Sequence, residues 1–399
     1  MKIKKNFIYF IFVFFLVIFF HISTYDYETL DWDINAFLVT SLEIGRGNLP
    51  YENQYENKPP LLFVIFYLFS WITSKNLVLI KLLNDLVIGV IALQTVFLTT
   101  NKGQSPKFFN FLPSIYFILF TSNVWFHPSY SEYLSLFFLT SAYLIYRKFP
   151  HNFFLMGVFI GLSTLINLGT SIFLISFIVL IAVFKTRLIY STFKLLSGFS
   201  SVHLITLMIY ALSGNFNNYI MAMFSIPVSY GGTIFSLSKS LTVFLVDFSE
   251  YDFYIYLFLM LTISVFLFSL FKLIQKKHLN VLNFEIIVFI FSGLLFFQLA
   301  GKGYYHHLIF LLYFLSLTFC LLKNPVLTRS LIFITSILLL FTISNFLGNS
   351  IKNIENFNKL NNNYPMKIIS EQIALNYEFD GQIFSNNNSN GYIAFKAEL

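Results

Sequence analysis

Charged residues are scarce in this chain: Asp, Glu, Lys and Arg make up 11% of its 399 residues. Soluble domains carry about 25% charged residues, so this composition excludes an ordinary soluble protein. Hydrophobic residues account for 57% of the chain, and the mean hydropathy is +0.73. The composition therefore predicts a polytopic membrane protein built from apolar helices.

Cysteine is almost absent. The single residue, Cys320, lies within an apolar run, which excludes a disulfide framework and a cysteine-ligated metal site. The formal net charge is +7, but the basic residues are spread over short loops between apolar segments. This distribution is typical of the cytoplasmic loops of membrane proteins, and no nucleic-acid partner is expected.

Apolar stretches that approach the length of a spanning helix, about 20 residues, recur along the chain. The first follows the basic start MKIKK and lacks a small-residue cleavage site, which indicates a retained helix rather than a cleaved signal peptide. We predict an all-α polytopic membrane protein with about eleven transmembrane helices, at residues 6–23, 77–99, 109–124, 129–146, 152–166, 169–184, 191–212, 252–274, 283–299, 305–322 and 328–347.

Segment 61–74 is apolar but short. If it does not cross the membrane, fourteen basic residues of the N-terminus and the short loops fall on one side and nearly all acidic residues on the other, an asymmetry that the positive-inside rule favours for a cytoplasmic N-terminus. We therefore predict that this segment is interfacial or re-entrant, within a first outward loop at residues 24–76. A second outward loop is predicted at residues 213–251, and a small outward tail at residues 348–399 follows the membrane domain, residues 1–347.

The first outward loop contains an amphipathic pattern. Ile34, Phe37, Leu38 and Leu42 recur at helical spacing, which predicts a helix lying in the membrane interface. Asp33 directly precedes the pattern. Two interpretations stay open at this point: a helix N-cap and a carboxylate with a chemical role. They are compatible, because a cap also fixes where a carboxylate points.

A second acid, Asp85, lies within a predicted span. An intramembrane carboxylate is a functional candidate, but Lys81 lies one helical turn earlier on the same face. The lysine is placed to neutralise the carboxylate, and we interpret the pair as mainly structural.

Four ordered elements in the first loop carry a resemblance: Asp33, Gly47, Pro50-Tyr51 and Lys58-Pro59-Pro60-Leu61. This order resembles the first-loop signature of the GT-C superfamily of membrane glycosyltransferases, in the branch of protein mannosyltransferases and lipid A aminoarabinose transferases. In that branch an acidic residue or acid pair begins a juxtamembrane helix, a Gly-x-x-Pro-Tyr turn follows, and the loop closes on Lys-Pro-Pro-Leu. The later helices match the family only in hydrophobic pattern.

The resemblance implies a glycosyltransferase in the cell membrane of a bacterium. It would transfer a hexosyl or pentosyl group from a polyprenyl-phosphate donor to a lipid, glycan or protein acceptor at the outer face. Asp33 would be the general base. The family often has two adjacent acids, whereas here Asp31 and Asp33 flank Trp32, so Asp31 is a second candidate. Lys58, held extended beside two prolines, is assigned to the donor phosphate; snorkelling towards the interface is the alternative.

Three further residues are assigned to shaping the site. Tyr51 belongs to the Pro-Tyr turn, and Glu56 lies near the position where relatives often carry an acid, although Asn57 occupies that position here. Glu132 begins a later helix, where a first-turn acid is ordinary. Relatives tend to carry an acid there that faces the site.

The late turn GKGYYHH supplies the remaining candidates, Lys302, Tyr305, His306 and His307. An aromatic belt explains the tyrosines, but a lysine and two histidines at an apolar helix start indicate a cavity. The family has a similar His-Tyr element, so these residues are assigned to the donor phosphate. Adjacent histidines do not have the i,i+4 spacing that puts two metal ligands on one helical face. Loop carboxylates suit a divalent cation, but the sequence does not require one.

The alternative function is a multi-pass transporter or lipid-linked glycan flippase. It would need charged or broken helices at mid-membrane, and the predicted spans show few. A polymerase or ligase of lipid-linked glycans would centre on a large late outward loop, whereas the dominant loop here is the first. A non-catalytic assembly subunit is also open. Membrane lipids and a polyprenyl-phosphate sugar are the expected partners.

Overall fold

The protein is described by a computed structural model that covers residues 2–21, 32–53, 56–100, 104, 106–122, 126, 129–184, 187–227, 281–299 and 304–321, with six positions between 260 and 271. Every regular element in these ranges is helical, which confirms the all-α prediction for this part of the chain. The predicted span at 328–347, most of the span at 252–274, the tail at 348–399 and the second outward loop after residue 227 lie outside the described residues.

Twelve α-helices are present in the described ranges. In chain order they are α1 (Lys2–His21), α2 (Trp32–Gly45), α3 (Pro60–Ile72), α4 (Leu77–Thr99), α5 (Phe108–Thr121), α6 (Ser131–Lys148), α7 (Phe153–Thr164), α8 (Ile172–Phe184), α9 (Leu188–Leu212), α10 (Phe216–Ile220), α11 (Val281–Leu299) and α12 (Ile309–Ser316). Short 3₁₀ turns at Leu168–Ser171, Tyr305–Leu308 and Leu317–Leu321 flank α8 and α12, and a π-helical turn, Met221–Ser225, follows α10.

Apolar helices make this a membrane-associated protein. By length and composition, α4, α9 and α11 are able to cross a membrane, and several other apolar helices are shorter. One of these, α3, has 13 residues, or about 20 Å at 1.5 Å per residue. That is less than the hydrocarbon core of about 30 Å. An interfacial α3 and a total of eleven spans stay predictions.

The helix predicted from the first-loop pattern forms as α2. Its apolar residues Ile34, Phe37 and Leu38 are buried at 2% exposure or less, and they pack against α3, where Phe37 contacts the rings of Phe63 and Phe66 edge-on. The apolar face of α2 is therefore covered by protein. This contact makes the first loop a packed unit.

Two buried tyrosines of α6 have hydrogen-bond partners for their hydroxyl groups, as is usual for a buried phenol. Tyr133 donates to the carbonyl oxygen of Phe126 at 2.9 Å. Tyr143 donates to Glu285 Oε2 at 2.8 Å, and Arg147 pairs with the same carboxylate at 3.1 Å. These contacts join α6 to α11 across 138 residues of sequence.

Helices α7 and α9 touch through glycine. A Cβ added at Gly157 would lie 2.0 Å from the carbonyl oxygen of Leu195, and one added at Gly198 would lie 2.0 Å from the carbonyl oxygen of Phe154. Small residues permit this approach of two backbones, which is a common packing mode in membranes. The contact holds the first half of α7 directly against α9.

A buried histidine–carboxylate pair joins the first helix to the bundle. His21 Nδ1 lies 2.6 Å from Asp85 Oδ1, and His21 Nε2 lies 3.0 Å from Thr121 Oγ1. The three side chains are at most 2% exposed and come from α1, α4 and α5. The Asp85 carboxylate therefore has a histidine partner that the sequence interpretation, based on Lys81, did not include. The pair supports a structural role for Asp85.

Candidate functional site

Asp33 lies in the first turn of α2, which begins at Trp32. The N-cap interpretation is therefore replaced by a position inside the helix, where the helix dipole favours a negative charge. The side chain is half-buried. The second acid candidate, Asp31, lies outside the described residues.

The loop after α2 is held by the carboxylate of Glu43, which the sequence analysis did not single out. Glu43 accepts hydrogen bonds from Asn48 at 2.9 Å and Asn53 at 3.3 Å, and it pairs with Arg46. Burial acts to raise the pKa of Glu43, but these hydrogen bonds and the arginine charge outweigh it and lower the pKa. Glu43 thus holds the loop together as an anion.

Tyr51 occupies the left-handed region with φ +74°, a conformation that costs a non-glycine residue on the order of 1–3 kcal/mol. Its ring packs edge-on against Phe63 and stacks on Tyr210, which in turn stacks on Tyr219. Its hydroxyl donates to the carbonyl oxygen of Lys58. Tyr51 therefore fixes the backbone that carries Lys58, consistent with its predicted role in shaping the site.

Lys58 stands at the entrance to α3. Pro59 is extended, with φ −63° and ψ 152°, and proline occupies the first position of the helix, where its missing N–H costs nothing. The Leu61 N–H donates to the carbonyl oxygen of Leu165 at the end of α7, at 3.1 Å. The Lys58 ammonium lies 6.0 Å from the centre of the Phe37 ring, so this half-buried lysine points back over α2.

Glu56 interacts electrostatically with both Asp33 and Lys58. Its carboxylate accepts the Asn57 N–H at 2.8 Å. Burial raises the pKa of Glu56, and the negative charge of Asp33 acts in the same direction, while Asn57 and the Lys58 ammonium oppose the shift. The surroundings of Glu56 therefore favour its protonated form.

The late turn before α12 supplies the second group of predicted residues. Tyr305, His306 and His307 lie in the 3₁₀ turn before α12, and both histidines are 8% exposed. The His306 ring stacks on Tyr130 with centroids 4.3 Å apart. Tyr305 is half-buried against the larger core. Lys302 lies outside the described residues.

Glu132 lies in the first turn of α6, is 1% exposed and forms a cluster with the two histidines. One ligand atom each from Glu132, His306 and His307 falls within 4.8 Å of the others. The spacing argument against a histidine site assumed a regular α-helix. It does not apply, because the two histidines lie in a 3₁₀ turn with rings at 74° and the carboxylate comes from a different helix.

The first loop and the Glu132–His306–His307 cluster interact electrostatically. The positive charge of Lys58 interacts electrostatically with His306 and His307, and the negative charge of Glu132 interacts electrostatically with His307. On the other side, Lys58 and Asp33 both act on Glu56. The predicted residues thus form two groups that interact through the Lys58 charge: the first-loop residues Asp33, Tyr51, Glu56 and Lys58, and the cluster of Glu132, His306 and His307.

Two histidines and one glutamate form a donor set typical of a catalytic zinc site, which leaves a fourth position open. An independent observation fits a cation: His307 Nδ1 is buried and has no hydrogen-bond partner among the described residues. Both oxygens of Glu132 are held, Oε1 by Asn167 at 3.1 Å and Oε2 by Ser131 at 3.2 Å. Each oxygen keeps a lone pair for a metal ion. The cluster is a candidate metal centre.

We expect purified protein equilibrated with zinc and then desalted to retain the ion, as measured by inductively coupled plasma mass spectrometry. Glu132→Gln and His307→Ala are expected to lose it, because each removes one of three protein ligands. His151→Ala, in the turn between α6 and α7, is the matched control and should retain the ion. Equal zinc content in the wild type and in Glu132→Gln would contradict the candidate centre.

Comparisons of this chain with models of known protein families, with curated proteins and with solved structures gave no match. Membership of the GT-C superfamily therefore stays a prediction that rests on the first-loop motif.

Proposed function

We propose that this protein is a membrane glycosyltransferase that takes a sugar from a polyprenyl-phosphate donor. One observation carries the proposal: the first loop, which contains Asp33 and Lys58, is coupled electrostatically through Lys58 to a buried Glu132–His306–His307 cluster built from two distant segments. The acidic part suits proton removal from an acceptor. The cationic and histidine part suits a departing phosphate.

In the proposed reaction an acceptor hydroxyl oxygen attacks the anomeric carbon of the donor sugar. The new C–O bond forms as the bond between that carbon and the phosphate oxygen breaks, and polyprenyl phosphate leaves. Asp33 accepts the hydroxyl proton. Its place in the first turn of α2 puts the carboxylate where the helix dipole stabilises a negative charge, and burial raises the pKa of the neighbouring Glu56.

Lys58 is proposed to bind the donor phosphate. Tyr51 holds its backbone carbonyl oxygen, and the charge of its ammonium acts electrostatically on both histidines. Glu132, His306 and His307 would hold a divalent cation, and a bound cation would supply positive charge for the leaving phosphate. The proposal locates the reaction at the outer face of a bacterial cell membrane, because the predicted charge asymmetry puts the first loop there.

We expect Lys58→Gln to weaken binding of polyprenyl phosphate by about 10- to 100-fold, since a charge-assisted hydrogen bond contributes about 1.5–3 kcal/mol. Binding is measured by native mass spectrometry of the purified protein, with neutral polyprenol as the comparison ligand. Lys194→Gln is the matched control, because Lys194 also lies over an aromatic ring, that of Tyr190, but in α9. Equal affinity of Lys58→Gln and wild type would contradict the phosphate assignment.

The same purified protein distinguishes glycosyl transfer from the alternative function, that of a transporter or flippase. A transporter or flippase would bind the lipid phosphate and move it across the bilayer without cleaving the sugar bond. Translocation of a fluorescent lipid-linked sugar in proteoliposomes, with no release of polyprenyl phosphate, would favour that alternative.

A further inference from the structure

Asn167 contacts the candidate metal centre from a segment that the sequence analysis read only as a turn. It follows α7, precedes the 3₁₀ turn at Leu168–Ser171, and is 9% exposed. Its Nδ2 donates to Glu132 Oε1 at 3.1 Å, across 35 residues of sequence.

The orientation of the Asn167 amide follows from its partners. The Gly169 N–H, which can only donate, lies 3.2 Å from Asn167 Oδ1, so that atom must be the oxygen. The amide NH₂ therefore faces Glu132, and it matches a carboxylate that accepts. This assignment uses the hydrogen-bond network, which distinguishes amide nitrogen from oxygen.

The backbone around Asn167 is fixed as well. Its N–H donates to the carbonyl oxygen of Ser163 at 3.0 Å, and its carbonyl oxygen accepts from Thr170 Oγ1 at 2.7 Å. Ser163 in turn exchanges two hydrogen bonds with Ser135 on α6, the helix that carries Glu132. The amide is thus held in place by the same helix whose carboxylate it contacts.

The same turn also reaches the histidine side of the centre. A Cβ added at Gly169 would lie 2.7 Å from Phe296 Cε2 on α11, so a larger residue would displace the Phe296 ring. The Phe296 ring meets His307 edge-on, with centroids 6.2 Å apart. The turn from Asn167 to Gly169 therefore contacts one ligand directly and a second through Phe296.

We propose that Asn167 is a positioning residue of the Glu132–His306–His307 metal centre: its amide holds the Glu132 carboxylate in the orientation in which it binds the cation. Partners of this kind fix the geometry of metal ligands, and their loss typically lowers metal affinity by about 10- to 100-fold. The inference rests on the metal centre and not on the sugar chemistry of the proposed function.

The test uses cobalt(II) as the probe, because its visible absorption reports ligand geometry as well as occupancy. Purified wild type, Asn167→Ala and Asn167→Ser are titrated with cobalt, then with zinc in competition. Serine keeps an acceptor for the Gly169 N–H but is too short to reach Glu132, so this variant preserves the turn. Asn110→Ala is the control: Asn110 is a half-buried asparagine that donates to the Thr99 carbonyl oxygen, beside the C-terminal end of α6 and not the end that carries Glu132.

We expect both Asn167 variants to bind cobalt about 10- to 100-fold more weakly, with a changed absorption spectrum, while Asn110→Ala keeps the wild-type affinity and spectrum. Wild-type affinity and spectrum in Asn167→Ser would overturn the proposal. No cobalt binding by the wild-type protein would overturn it together with the metal centre. Cobalt binding that depends on Asn167 in a protein without glycosyl transfer would support the proposal and reject only the proposed function.

Discussion

Asp33→Asn is expected to lower the rate of sugar transfer by about 10²- to 10⁴-fold, the usual contribution of a general base. The substitution is nearly isosteric and keeps a polar group in the first turn of α2, but an amide does not accept the acceptor's proton. Binding of polyprenyl phosphate should change little, since the proposal assigns the phosphate to Lys58 and the histidine turn. The rate is measured in a single turnover with a radiolabelled donor.

Glu52→Gln provides the matched control for Asp33→Asn. Glu52 is an exposed acid of the same loop, and its contact is to the Leu49 N–H. It should transfer at the wild-type rate. Wild-type transfer by Asp33→Asn would remove Asp33 as the base and make Asp31 the next residue to replace.

His21→Leu is expected to lower the free energy of unfolding by about 3–5 kcal/mol, because it leaves the buried Asp85 carboxylate without its histidine. Asp85 is 1% exposed, and His21 also contacts Thr121, so the lost partner joins three helices. The measurement is thermal unfolding in detergent, followed by the loss of the monodisperse peak in size-exclusion chromatography.

The double variant His21→Leu/Asp85→Leu separates an ion-pair effect from a packing effect. Apolar replacement of both partners of a buried pair is often neutral, so the double variant should be more stable than His21→Leu alone. His151→Leu, at an exposed position, should match the wild type. Wild-type stability of His21→Leu would show that the buried pair contributes nothing.

Helix positions were predictable from the sequence because apolar runs and their polar ends are local signals. The predicted ranges 77–99 and 191–212 agree with α4 and α9 within three residues at each end. The helix in the first loop was predictable for the same reason, since Ile34, Phe37 and Leu38 lie on one helical face.

Partners that are distant in sequence were not predictable from one chain. His21 meets Asp85, Asn167 meets Glu132, and Arg147 meets Glu285, across 64, 35 and 138 residues. Hydrophobic periodicity indicates which face of a helix is apolar, but not which helix covers it. A local signal favoured Lys81 as the partner of Asp85, and only the packing of α1 against α4 and α5 supplies His21.

The histidine turn was selected as a site from the sequence, but its geometry was not predicted. His306 and His307 were selected from the sequence because polar residues at an apolar helix start are costly. Their use as metal ligands was set aside on α-helical spacing. The 3₁₀ turn and the carboxylate from α6 supply a geometry that spacing within one segment does not describe.

The measurement that tests the account most directly is transfer from polyprenyl-phosphate sugars by purified wild-type protein in proteoliposomes. A panel of radiolabelled hexosyl and pentosyl donors is supplied together with a membrane extract as the source of acceptors. The account predicts that label from at least one donor moves to a new acceptor while free polyprenyl phosphate appears in equal amount. Label that stays on every donor, with folded protein that binds polyprenyl phosphate, would contradict glycosyl transfer as the function.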